Sequence, residues 1–123
     1  MHDAPSAKEL IEAVKSFIDK TAMVRLTGHA AFHARVASNA LATVLRELDQ
    51  RPDAEAAERE RLQALLASAE QEVDLLNRQL CEEIRAGRVD LTTPGLLTHL
   101  KSTTIAQLSV DQPGYSGLRT AAR

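Results

Sequence analysis

Aromatic side chains are almost missing from this chain: two phenylalanines, one tyrosine and no tryptophan among 123 residues. A core must therefore be made of Leu, Ile, Val and Ala, with little of the β-branched and aromatic material that strands favour. The same scarcity removes the platforms on which bases stack. A formal net charge of −2 supplies no cationic surface for phosphates, so a nucleic-acid partner is not expected. The single cysteine, Cys81, excludes an internal disulfide and fits a reducing compartment. No apolar run approaches the roughly 18 residues of a membrane span, and no basic-then-apolar leader opens the chain. The expectation is a soluble, cytoplasmic protein with no membrane partner. A Ser-His-Asp order, a glycine-rich phosphate loop and a CxxC pair are all lacking, so no catalytic residue and no cofactor are expected.

What is present is helix. Hydrophobic residues make up 44% of the chain, enough to exclude general disorder. The run from His29 to Gln50 has neither Gly nor Pro. At about 100° per residue, Ala34, Ala37, Ala40, Leu41, Val44, Leu45 and Leu48 share one broad face. Arg35, Ser38, Asn39, Arg46, Asp49 and Gln50 lie opposite, with Phe32 and Thr43 between. The width of the apolar face makes this helix the expected centre of the fold.

Around it, Met1 to Pro5 reads as a lead-in. Ser6 and Glu9 have capping-box spacing, and Leu10, Ile11, Val14, Phe17 and Ile18 give a first helix from Ala7 to Ala22. Met23 to Gly28 is a connector with Leu26 as its anchor and Thr27 as the next cap. Arg51-Pro52-Asp53 should end the central helix, because proline disfavours helix in the residue before it, and Asp53 should cap the helix after it. Ala54 to Ala86 reads as two helices divided near Ser68, with Ser68 to Gln71 as a second capping pair. Val73, Leu76, Leu80 and Ile84 form a stripe within which Cys81 reads as an inert buried thiol. Gly87 suits the position past a helix end, and Thr93-Pro94 reads as cap and first residue of a last helix ending near Val110. Leu96, Leu97, Leu100, Thr104 and Leu108 are its stripe. The expected fold is all-α, an antiparallel helical bundle of four to five helices over residues 1–110, with a turn-rich C-terminal tail over 111–123.

Two sets of residues stand out as candidate sites. His29 and His33, one turn apart, have metal-ligand spacing. Glu82, Glu83, Asp90 or His99 would have to complete such a site, and no metal is expected. The favoured alternative places His33 at the core edge, donating to a backbone carbonyl. Arg35, Asn39 and Arg46, beside Phe32 and His33, form a polar edge that suits a carboxylate or phosphate, or ion pairs with another helix or subunit. Tyr115, within the turn run Asp111-Gln-Pro-Gly-Tyr-Ser-Gly117, either docks on the bundle or meets a partner.

The segments Pro5-Ser-Ala-Lys-Glu-Leu10, Phe32-His-Ala-Arg-Val-Ala-Ser-Asn39, Leu76-Asn-Arg78, Ile84-Arg-Ala-Gly87 and Val110 to Gly117 resemble a family of small bacterial proteins known as a domain of unknown function. The resemblance spans nearly the whole chain. Such proteins are encoded near acyl-CoA dehydrogenases and aminoglycoside-phosphotransferase-like kinases, which implies a partner of that kind and carries over no catalytic residue. The functional expectation is a homo-oligomeric, non-enzymatic accessory protein. Its alternative is a small-molecule-binding protein or enzyme with an anion site on the polar edge of the second helix.

Overall fold

The computed structural model describes residues 4–123; the first three residues of the expected lead-in, Met1 to Pro5, lie outside them. The fold is all-α, with no strand among the described residues. The elements are α1 (Ala7–Phe17), a π-helical turn (Ile18–Ala22), α2 (Met23–Arg25), α3 (Gly28–Leu66), α4 (Val73–Arg85), α5 (Leu96–Asp111) and α6 (Ser116–Ala121). No described helix is long and apolar enough to cross a membrane. The chain divides into two compact units, residues 1–50 and 51–123.

In the first unit the capping box forms as its spacing implies. The Glu9 N–H donates to Ser6 Oγ at 3.1 Å and the Ser6 N–H to Glu9 Oε2 at 2.8 Å. The helix does not stop at Ala22. It passes through the π turn, where the Met23 N–H reaches back to the Ile18 carbonyl, and continues to Arg25. Leu26, the expected anchor, is exposed.

Two side-chain links fix how this arm meets the first half of α3. Lys8 pairs with Asp49 at 2.8 Å, and the Ser38 hydroxyl donates to Asp19. Eleven residues forward from Lys8 to Asp19 match eleven back from Asp49 to Ser38, which is an antiparallel register. The inward positions of α3 are Ala31, Ala34, Ser38, Leu41 and Leu45, with Ala42 beside them. That spacing of three and four is the 3.5-residue seam of two packed helices. The face expected from apolar count was therefore turned: Ala37, Ala40, Val44 and Leu48 are exposed, and Ser38, expected outside, is the buried residue at 6% exposure.

Pro52 does not end the helix; α3 runs through it, and Asp53 is interior rather than a cap. Lacking an N–H, Pro52 leaves the Leu48 carbonyl without its helical partner. Leu48 and Pro52 are both exposed, so water can take that carbonyl.

The second unit starts within α3. The helix ends at Leu66, and Ala67 takes a left-handed conformation, φ 48°. The reversal is held by side chains reaching back from α3: Gln63 Nε2 donates to the Glu70 carbonyl at 2.7 Å, and Arg59 Nε to the Gln71 carbonyl at 2.8 Å. Residues 54–86 are thus divided between two helices, with 67–72 as the break. Ser68 is no cap for the second; its hydroxyl accepts from the Glu70 N–H, and α4 begins only at Val73, behind Glu72. Asn77 of α4 donates to Glu58 of α3 at 2.9 Å, so α4 runs antiparallel to it.

Gly87 follows α4 with φ 74°, the position past a helix end that only glycine takes freely. Thr93 does not cap α5. Its hydroxyl accepts from the Asp90 N–H at 2.9 Å and closes a turn; the cap is Gly95, φ 93°. Opposite Gly95 lies Leu65, and opposite His99 and Thr103 lies Arg61, so α5 is antiparallel to α3 as well. Leu62, Leu76, Leu80, Val89 and Leu96 are buried together, with Leu65, Leu66 and Val73 packed on them. The expected centre of burial, His29 to Gln50, is therefore not where the core lies. Cys81 is exposed, because it sits about 100° round the helix from Leu80. Residues 116–121 of the expected tail form α6, which packs on α5.

Leu76 is fully buried, so Leu76→Ala should cost about 2–5 kcal/mol in urea denaturation. Ala67→Gly should raise stability by up to about 1 kcal/mol, since the residue already holds a left-handed conformation. A loss on that substitution would contradict the reversal described.

Candidate functional site

The polar edge of α3 is on the surface. Phe32, His33, Arg35 and Asn39 are exposed, and Arg46 is half-buried. Phe32 and His33 meet edge to face, with ring centroids 5.6 Å apart. His33 is thus not the core-edge residue expected, because Ala31 and Ala34 take the inward positions on either side of it. Thr43 links the edge: its hydroxyl donates to the Asn39 carbonyl and accepts from Arg46 Nη2, both at 3.1 Å. No hydrogen bond to the side chains of Arg35 or Asn39 is found among the described residues.

Tyr115 belongs to the second unit, where it precedes α6. Its ring folds over Gly117. A Cβ there would come within 2.6 Å of the ring, so Gly117 is the residue that lets tyrosine lie against the chain.

No group of three or more His, Cys, Asp and Glu side chains able to hold a metal ion comes together among the described residues. Of the further ligands considered for His29 and His33, His99 accepts from Arg61, and Glu83 and Asp90 are also engaged. Glu83 takes Arg88 in a two-point pair at 2.7 and 3.0 Å. Asp90 accepts from the Thr92 N–H and hydroxyl.

Two polar clusters were not anticipated. In the first unit, Asp19 sits in the π turn, accepts from buried Ser38 with one oxygen, and takes Lys15 with the other at 2.6 Å. The hydrogen bonds from Lys15 and Ser38 hold its carboxyl below the usual 3.8. The positions Ala31, Ala34, Leu41 and Leu45 pointed to Ser38 as the residue completing the seam, but a serine is not read as core.

In the second unit, His99 is only 3% exposed and lines a cleft of about 330 Å³ with Arg61, Leu65, Pro94, Gly95 and Thr98. Arg61 Nε donates to His99 Nδ1, and Arg61 Nη2 to the Thr103 hydroxyl, both at 3.4 Å. An accepting Nδ1 requires a neutral ring protonated at Nε2. Burial pushes the His99 pKa below its usual 6.5, and the Arg61 charge adds to this against an opposing pull from Glu58. A buried, perturbed histidine beside a guanidinium in a cleft is the kind of cluster that marks functional sites.

The family model described as Domain of unknown function (DUF6285) matches residues 24–115, which include the α3 edge, the cleft and Tyr115. No curated protein and no solved structure matches the chain.

The pKa shifts have a sign that can be tested. His99 binds its proton less tightly in the folded chain, so its contribution to stability is complete above 6.5 and is lost as pH falls toward the lower folded value. Asp19 behaves likewise in a more acidic window: its stabilisation is complete above 3.8 and is lost as pH falls through the depressed value. The urea midpoint should therefore drop between about pH 7 and pH 5 in the wild type. It should drop less in His99→Gln, and Asp19→Asn should flatten the acidic limb instead. Equal slopes in all three proteins would refute both assignments.

Proposed function

The chain belongs to this family of domains of unknown function, and we propose that it is a non-enzymatic helical accessory protein that pairs with a second copy of itself through its first unit. One observation carries the reading. On α1, Leu10, Val14 and Phe17 share a face and are 54%, 53% and 61% exposed, while no apolar side chain described in residues 1–50 is buried. Burial of such side chains is worth roughly 1.5–3 kcal/mol each, a stabilisation the single chain does not realise. A unit of this size is near the limit at which one core suffices without association.

The stripe favours a second copy because it carries no charge between Leu10 and Phe17 along its line. A two-fold interface must be complementary to itself, and an apolar stripe meets that requirement. The enzyme served by this pair is one of acyl-CoA or phosphoryl-transfer chemistry, an acyl-CoA dehydrogenase or a kinase-like protein, as the resemblance in sequence implies. The exposed donors of Arg35 and Asn39 suit carboxylates on such a partner.

Sedimentation equilibrium should give a dimer for the wild type and a monomer of unchanged helicity for Val14→Glu. A monomeric wild type at high concentration would remove the pairing. Affinity purification from the native host that recovers neither class of enzyme would remove the metabolic link.

A further inference from the structure

We infer that the cleft between the end of α3 and the start of α5 binds a small organic carboxylate with a short apolar body. This site is independent of the pairing of α1, since every residue it uses lies in the second unit.

Arg61 sets the charge of the ligand. Its guanidinium is half-buried and has no carboxylate partner among the described residues. Nε and Nη2 are occupied by His99 and Thr103 through long, weak bonds, and Nη1 has no partner among the described residues. A planar guanidinium pinned on one side and open on the other is suited to the two oxygens of a carboxylate. Its neighbours leave that charge in place. His99 accepts from it as a neutral ring, and Glu58, whose charge is felt at His99, turns its carboxylate to the amide of Asn77 and does not line the cleft. Arg61 is thus the one charged side chain in the lining, and with the Glu58 carboxylate near His99 it matches a singly charged acid better than a doubly charged phosphate.

The walls set the rest. Leu65 and Pro94 give an apolar surface for the body of the ligand. Gly95 has no side chain to fill the space beside them; a Cβ there would stand 3.7 Å from Leu65 Cδ1. Helix α5 starts at this wall without a side-chain cap; the Leu96 N–H is taken by the Thr93 carbonyl, and the N–H groups just after it add partial positive charge beside Arg61.

The test is a titration of the full chain, followed by amide and imidazole NMR signals, with sodium hexanoate, neutral hexanamide and inorganic phosphate as separate probes. Hexanoate should give saturable shifts at Gly95 to His99, hexanamide none, and phosphate a weaker response at the same residues. Arg61→Gln should weaken hexanoate by about tenfold or more, and Arg61→Lys by less. Equal responses to hexanoate and hexanamide would overturn the charge assignment. Tighter phosphate than hexanoate would overturn the ligand class, and undiminished binding in a folded Arg61→Gln would overturn the role of Arg61. If Arg61→Gln does not fold, the comparison of hexanoate with hexanamide on the wild type decides the matter alone.

Discussion

Each unit of this protein closes a helix seam around one buried polar side chain that must be given a partner. In the first unit it is Ser38, and in the second His99. A buried hydroxyl or imidazole left without a hydrogen bond costs about 1–3 kcal/mol, which is comparable to what a buried leucine contributes. The partner therefore constrains the backbone. Asp19 meets Ser38 from within a π-helical turn, and such a turn takes one residue more than an α turn and so re-aims the side chains it carries. Lys15, one turn earlier, occupies the other carboxylate oxygen, so the carboxylate drawn in by Ser38 does not lack a counter-charge.

The two units then differ in what surrounds the polar group. The unit that holds His99 has a core of buried Leu62, Leu76, Leu80, Val89 and Leu96, drawn from α3, α4, α5 and the loop before it. Around Ser38 there are alanines and half-buried leucines, and the bulkiest residues of α1 face outward. Alanine at the seam brings two helices close but contributes little buried area. The second unit is thus the one whose fold is secured by its own side chains. The first gains most from an added surface.

The sequence was legible wherever a local rule acts alone. The all-α class, the Ser6–Glu9 box, the glycine after α4 and the break before α4 each follow from short-range chemistry. It was misread wherever a tertiary demand overrode a local preference. Pro52 removes one helical hydrogen bond and crowds the Leu48 carbonyl, and at an exposed position solvent access lowers the first of these costs. Thr93 has the chemistry of a cap but spends its hydroxyl on the Asp90 turn. Counting apolar residues turned the α3 face toward Ala37, Val44 and Leu48, because serine was assigned to the outside. The same rule put Leu97 and Leu100 in the α5 stripe, where the inward line is Leu96, His99 and Thr103. The exposure of Cys81 follows from the same geometry, one position off a true seam.

The two polar clusters also settle their charges in opposite ways. Asp19 is a closed system: one carboxylate, one ammonium and one hydroxyl, with both oxygens taken. Nothing in it remains for an outside group. Arg61 and His99 form an open one. The imidazole gives up its own charge on burial, and the guanidinium that holds it keeps a charge no carboxylate among the described residues answers. A half-buried cation in that condition is tolerated only where solvent or a ligand reaches it, and the cleft supplies that access. The first cluster is what a fold needs to hold two helices together. The second retains more polarity than holding α3 to α5 requires, and that surplus separates a site from a clasp.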